Sequence, residues 1–378
     1  MNVEISTILY PLTCYLSGSA HSLSFPIVSN LRLTPQASSN NILMGCGACA
    51  NKQSTNVLPS VSMPSVVPSL HAQLRSQIPP QDVSRLVREW TKAKQLHQDS
   101  IKQYALSDST DFLTKLSLGP PIEFRWEAWK AAFDLPTDIS ANYQIWLQAS
   151  ISPQVLVDIG KDVYRTFPDF DYFKGAGAAS LSNLLRAVSA SDPEVGYCQG
   201  MNCVLALLLI VANGNEAEAF AVYQSASKKY HWRDLYLPGF PKMWELTFQW
   251  QAVFKEKDAA AYRGFKEVGL KEALWFTKAV LTLFAASLPL SLAVRVWDVL
   301  LAQGETVILR TVWAIVETIK RDMLGLELAE AATLLRDLPQ RNIPAESFLK
   351  QIRQETVSNA ALAKGTARYQ TRKARLNS

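Results

Sequence analysis

The stretch Gly196-Tyr197-Cys198-Gln199-Gly200-Met201-Asn202 is a polar segment bracketed by two glycines, and the apolar run Cys203 to Ala212 follows it directly. Gly196 can interrupt the preceding element, and Gly200 lets a backbone or a ligand approach Gln199 closely because glycine has no Cβ. The apolar run has the length of a core helix. The sequence therefore predicts a turn that presents Gln199 and is anchored by a buried helix.

A second stretch, Ile159-Gly160-Lys161-Asp162-Val163-Tyr164-Arg165-Thr166, comes before Phe167-Pro168 and predicts a helix that ends close to Arg165. Val155, Ile159 and Val163 have the spacing that buries one side of a helix. Asp162 lies three residues before Arg165 and shares a face with it. From this helix alone two interpretations stay open: an exposed ion pair worth roughly a few tenths of a kcal/mol, or a carboxylate that aims the guanidinium.

Taken together, I-x-x-D-x-x-R-T followed by Y-x-Q-G-M-N resembles the motif pair of the TBC domain, the GTPase-activating module for Rab-family GTPases. The resemblance covers roughly Leu116 to Leu338, and its order is complete. One departure is Pro120, where a Gly-Ile-Pro opening is commoner in the family, and it concerns only the local turn there.

Two further groups of residues stand where the family would have them. Arg125 and Trp129 lie near the start of this region, and Arg295, Trp297 and Asp298 lie near its end. Arg125 and Trp129 are four residues apart and can pack together on one helix face. Arg295 and Asp298 repeat the spacing of three residues, with Trp297 between them. We expect all five residues to be architectural, with the tryptophan in the core.

The resemblance implies that Arg165 is an arginine finger and Gln199 a glutamine finger, both supplied to a Rab-family small GTPase in its GTP state. It also implies supporting roles for five neighbours: Asp162, Thr166, Tyr197, Gly200 and Asn202. GTP and magnesium would belong to the partner, so we expect no cofactor, metal or small-molecule substrate on this chain. A catalytically weak Rab-binding scaffold and a lipid-anchored helical adaptor stay open as alternatives.

Composition agrees with a soluble globular protein, since 48% of the 378 residues are hydrophobic and 19% are charged. Basic residues are interspersed with acids through the centre of the chain and no recognisable motif accompanies them, so we expect no nucleic-acid partner. The five cysteines and four histidines form neither a disulfide framework nor a zinc pattern. The longest apolar runs are short of the ~20 residues of a spanning helix. We expect a cytoplasmic protein, and a peripheral association with endomembranes stays open.

Apolar residues recur at three- and four-residue steps from Leu113 onward, separated by short turns such as Asn213-Gly214. This pattern predicts an all-α fold with one large multi-helix domain over residues 113–345. A flanking helix is predicted over residues 81–112, and a C-terminal helix with a basic tail over residues 346–378. The run from Gly365 to Ser378 contains no acidic residue. We prefer to interpret it as a solvated tail, and a contact with a membrane surface is the second interpretation.

Residues 1–80 are predicted to be a disordered segment and linker, because they lack periodicity and become proline-rich toward their end. Inside them, the sequence Met-Gly-Cys-Gly-Ala-Cys from residue 44 looks like the start of an acylated protein. If translation began at Met44, Gly45 would be a myristoylation candidate, and Cys46 and Cys49 palmitoylation candidates. An unmodified internal loop is the equally open alternative, and a secretory signal lacks its basic n-region.

Overall fold

The computed structural model describes the backbone of residues 80–377 and side-chain burial for residues 84–375. All regular elements in this described part are helical, which confirms the all-α class. The predictions for residues 1–79, including acylation at Gly45, Cys46 and Cys49, lie outside the described residues and stay predictions.

Three helices lead into the domain: α1 (Pro80–Leu96), α2 (Ile101–Ser107) and α3 (Ser109–Leu118). The region predicted as one flanking helix is therefore divided. Gln98 and Asp99 have φ of 58° and 53°, which no α-helix accommodates. Ser100 then caps α2, accepting a hydrogen bond from the Gln103 amide at 3.2 Å.

Seven helices form the first part of the domain: α4 (Ile122–Ala131), α5 (Ile139–Gln148), α6 (Pro153–Val163), α7 (Ala176–Ser191), α8 (Met201–Val211), α9 (Glu216–Lys229) and the short α10 (Arg233–Tyr236). A 3₁₀ turn, Asp171–Lys174, precedes α7. Helix α7 packs against α5, α6, α8 and α9, so this half of the domain is built around it and α8.

Eight more helices complete the described chain: α11 (Pro241–Lys257), α12 (Ala259–Glu267), α13 (Glu272–Leu281), α14 (Leu290–Gln303), α15 (Thr306–Met323), α16 (Leu328–Arg336), α17 (Ala345–Gln354) and α18 (Asn359–Asn377). A 3₁₀ turn, Leu338–Gln340, lies between α16 and α17. In the described part, no helix combines the length and the apolar character that crossing a bilayer requires.

Helix α8 is the apolar run predicted to anchor the Gln199 turn, and it lies in the core. Every residue from Met201 to Val211 is buried except Cys203, which is partly buried. Its aliphatic side chains each stabilise the fold by about 1.5–3 kcal/mol on burial. The turn before α8 is therefore held at its C-terminal end by a fixed helix.

Aromatic and charged residues predicted to be architectural form one buried cluster between α4 and α14. The ring of Trp297 lies 5.6 Å from that of Trp129 and 5.3 Å from that of Trp232, between centroids. Asp298 accepts hydrogen bonds from Trp129 Nε1 at 2.7 Å and Arg125 Nε at 3.2 Å. The cluster therefore joins helices that are far apart in the sequence.

Arg295 behaves differently from what its spacing suggests. Its Nη2 donates to Glu346 Oε1 at 2.9 Å on α17 and to the Leu118 carbonyl at 3.4 Å at the end of α3. Asp298, three residues later, takes its hydrogen bonds from α4 instead. The two residues thus connect α14 to different helices and do not form the local pair that their spacing suggests.

The C-terminal residues Asn359–Asn377 form helix α18 along α11, and residues 371–375 of the basic run are exposed, as predicted for a solvated segment. A Cβ at Gly365 would lie 2.4 Å from the Gln249 Cα, so only glycine permits this close approach. The Arg368 guanidinium lies 5.5 Å from the centre of the Phe248 ring. The first part of α18 therefore packs on α11, whereas the basic residues near its end are exposed.

Candidate functional site

Arg165 lies two residues beyond α6, after the capping residue Tyr164, as the sequence predicts for a helix ending near it. Its backbone amide donates to the Asp162 carbonyl at 3.2 Å, which continues the last helical turn. Ile159 and Val163 are buried beneath the helix, and Val155 is partly buried, which confirms the predicted apolar stripe. These contacts fix the position from which the arginine extends.

The ion pair between Arg165 and Asp162 is asymmetric. Arg165 Nε donates to Asp162 Oδ1 at 2.8 Å, and its Nη2 lies 2.6 Å from the same oxygen. The Arg165 side chain is 44% exposed whereas that of Asp162 is only 7% exposed. A freely solvated pair would leave both partners mobile, but here the carboxylate is fixed in the protein and the guanidinium extends outward from it.

Tyr197, from the Gln199 turn, engages the second oxygen of the same carboxylate. Its hydroxyl donates to Asp162 Oδ2 at 2.5 Å. Burial, and then the charge of Asp162, raise the pKa of Tyr197 well above its ordinary value. The phenol therefore stays protonated and able to donate near neutral pH.

A second connection runs through Thr166 and Asn202, both buried. Asn202 Nδ2 donates to Thr166 Oγ1 at 2.7 Å, and that hydroxyl donates to the Asp162 carbonyl at 2.7 Å. The side-chain oxygen of Asn202 accepts from the Gly200 amide at 3.0 Å. The segment of Arg165 and the turn of Gln199 are thus joined by a continuous set of hydrogen bonds.

Gly196 and Gly200 have φ of 58° and 109°, the region where glycine is favoured. A Cβ at Gly200 would lie 2.9 Å from the Leu281 carbonyl oxygen. The close approach predicted at Gly200 is therefore made by this chain's own backbone, at the end of α13. Gln199 is half-buried, and no group of the described residues forms a hydrogen bond with its side-chain amide.

Helix α13 contributes residues to the site that the motifs do not indicate. Leu281 supports Gly200 as described, and Lys278 lies one turn before it on the exposed side. Burial raises the pKa of the Cys203 thiol to about 12, and the positive charges of Lys278 and Arg165 oppose that rise. Lys278 is thus a second cation in this region, with nothing in its local sequence to reveal it.

The other candidate residues lie elsewhere. Arg125, Trp129, Arg295, Trp297 and Asp298 form the buried contacts described above. Within residues 80–377 no group of three or more His, Cys, Asp or Glu side chains could hold a metal ion.

The fold and site together define an all-helical domain in which an arginine and a glutamine extend from two hydrogen-bonded segments. The chain belongs to the Rab-GTPase-TBC domain family, whose model matches residues 122–324, more than half of the chain. The matched region includes both segments of the candidate site and most of the buried cluster.

Two relatives from Caenorhabditis elegans illustrate the similarity. The Rab GTPase-activating protein eat-17 is 32% identical over 216 residues, which are 56% of this chain and 24% of that protein. The Rab GTPase-activating protein tbc-11 is 31% identical over 248 residues, 62% of this chain and 26% of that protein. This chain therefore matches only about a quarter of the length of these relatives.

Solved structures agree on the fold. The Chlamydomonas flagellar RabGAP TBC domain has a TM-score of 0.56 at 21% identity, covering 81% of this chain and 97% of that one. The Ypt/Rab-GAP domain of Gyp1p has a TM-score of 0.60 at 15% identity, covering 76% and 99%. At these identities the comparison establishes the architecture alone.

Proposed function

We propose that this protein accelerates GTP hydrolysis by a Rab-family GTPase and contributes Arg165 and Gln199 to the partner's nucleotide site. The observation that carries the proposal is the set of hydrogen bonds that joins their two segments through Asp162, Thr166 and Asn202. Family membership and the names of the two worm relatives support the class of partner.

Arg165 would stabilise the negative charge that develops on phosphate oxygens during hydrolysis. Asp162 engages Nε and one Nη, which leaves at least three of the roughly five N–H donors of a guanidinium for those oxygens. An arginine supplied in trans is worth ~10³–10⁵ in rate, which corresponds to about 4–7 kcal/mol of activation free energy. Holding the guanidinium on a fixed carboxylate reduces the entropy lost when it enters the partner's site.

Gln199 would position the attacking water. That role requires a group that both donates and accepts a hydrogen bond, which a glutamine amide does and a carboxylate or thioether does not. In this proposal Gln199 takes over from the GTPase's own glutamine, while Asn202 and Tyr197 hold its turn beside Arg165.

In the same proposal, GTP and magnesium are bound by the partner in its GTP state. The chain's own residues then provide positioning and charge alone. We propose that the two proteins meet at the cytoplasmic face of a membrane, where the candidate acylation residues would anchor this chain.

A single-turnover hydrolysis assay tests the proposal. A panel of purified Rab GTPases loaded with GTP is mixed with the full chain, and phosphate release is followed over time. We expect at least one GTPase to be accelerated by about 10³-fold or more. Binding without acceleration would instead support the scaffold alternative, and neither binding nor acceleration would support the adaptor.

A further inference from the structure

The helix that positions Arg165 has two dissimilar faces. Ile159, Asp162 and Val163 are buried, whereas Leu156, Val157 and Tyr164 are 42%, 52% and 85% exposed. Single exposed apolar residues are ordinary on protein surfaces. Among the described residues, however, three of the nine exposed large hydrophobic residues lie on this helix and its C-cap.

Gly160 is partly buried and lies between the exposed Leu156 and Tyr164 at steps of four residues, so the three follow one row along the helix. A glycine inside a helix destabilises it relative to alanine. A Cβ at Gly160 would have no atom of the described chain within 4 Å, apart from the helix's own backbone and its chain neighbours. Packing among the described residues therefore gives no reason for the glycine.

A partner that comes close to the helix backbone does give a reason, because a glycine leaves room for it. Tyr164 is the residue directly before Arg165, so their Cα atoms are about 3.8 Å apart. A GTPase that receives the Arg165 guanidinium therefore approaches the end of the helix from which Tyr164 also projects.

We propose that the row Leu156, Gly160 and Tyr164, with Val157 beside it, is the surface on which the GTPase docks, and that Tyr164 is its principal contact. This inference rests on the proposed function and deepens it. The partner would present an apolar surface beside its nucleotide site, and that surface would pack on Tyr164 and against the bare backbone at Gly160. Tyrosine is among the residues that most often dominate binding energy at interfaces.

The test separates docking from catalysis by measuring kcat and KM with the GTPase most accelerated by the wild-type chain. We expect Tyr164→Ala to raise KM by about fivefold or more and to leave kcat nearly unchanged. Tyr164→Phe keeps the ring and should remain close to wild type. Ile145→Ala is the matched control, because Ile145 is 64% exposed on a different helix, α5.

Gly160→Ala provides a second readout that a purely structural role would not produce. Alanine favours the helix, so Tm should rise by about 2 °C. The added methyl group should nevertheless raise KM, because it occupies space that the partner needs.

The outcomes are distinguishable from failure of the proposed function. A wild-type chain that accelerates no GTPase overturns both proposals. An active wild type whose Tyr164→Ala and Gly160→Ala variants match the Ile145→Ala control in KM overturns the docking surface alone. The same holds if Tyr164→Ala changes only self-association, measured by sedimentation, because the surface would then contact a second copy of this chain.

Discussion

Asn202 donates a hydrogen bond to the Thr166 hydroxyl across 2.7 Å, although 36 positions separate the two residues in the sequence. This contact and the Tyr197 bond to Asp162 place the Gln199 turn against the end of the Arg165 helix. Both bonds form within this chain, and the first is buried, so the relative position of the two segments does not depend on binding a partner.

Arg165→Lys tests whether the geometry of the guanidinium matters beyond its charge. Lysine keeps the charge but lacks the planar set of donors that can contact both Asp162 and phosphate oxygens. We expect acceleration to fall by about 10³-fold or more, as for Arg165→Ala, with the domain still folded because Asp162 keeps its hydrogen bond from Tyr197. A lysine variant that keeps most of the wild-type rate would show that Arg165 is not the finger.

Gln199→Ala tests the second finger together with its counterpart in the GTPase. We expect the variant to lose most of the acceleration, whereas replacing the GTPase's own catalytic glutamine should be tolerated at least in part. Single-turnover rates for the four combinations measure the coupling between the two glutamines. A harmless Gln199→Ala beside a wholly resistant GTPase variant would contradict the two-finger mechanism.

Thr166→Val removes the hydroxyl that links Asn202 to Asp162 while keeping the side chain's volume. It leaves a buried Asn202 donor without a partner, which costs about 1–3 kcal/mol. We expect kcat to fall by roughly 10-fold to 100-fold, because the two fingers lose their shared support, with KM little changed. Thr166→Ser restores the hydroxyl and should recover most of the rate, whereas equal rates for the valine and serine variants would assign the residue no positioning role.

Asp298→Ala should destabilise the domain by about 3–5 kcal/mol, because it leaves the Arg125 guanidinium buried without a counter-charge. The control is Asp322→Ala, since Asp322 is 48% exposed and pairs with Arg341 at 2.6 Å. We expect the control to change stability by about 1 kcal/mol or less. Urea denaturation measures both variants, and similar losses would show that the buried cluster is not the stabilising feature.

Tyr197 should make the fold sensitive to alkaline pH. Burial and Asp162 raise its pKa above the ordinary value of 10.0, so above about pH 10 the folded state holds a proton that the unfolded state has lost. Stability from this group is therefore present below that pH and is lost as pH rises above it. Denaturant midpoints measured between pH 8 and pH 11 should fall less steeply for Tyr197→Phe than for wild type.

The helical class and the positions of the two site segments follow from local patterns in the sequence. The apolar run from Cys203 to Ala212 predicts a core helix because its ten residues exceed the usual length of a buried strand, and α8 confirms it. The helix stop before Arg165 is likewise local, since Phe167-Pro168 cannot continue a helix after it. The break at Gln98 and Asp99 was missed, because neither glycine nor proline marks it and the five-residue step from Leu96 to Ile101 was not used as a signal.

Only the tertiary structure decided which residues meet across long sequence separations. The Asp298 carboxylate takes its partners from α4 and not from Arg295, because Arg125 and Trp129 reach it across the packed helices. Leu281 and Lys278 join the site through the packing of α13, which no motif encodes. A sequence pattern shows which helix faces are apolar, but it does not specify which two helices pack together. The pairing of helices in the tertiary structure determined the surroundings of Arg165 and Gln199.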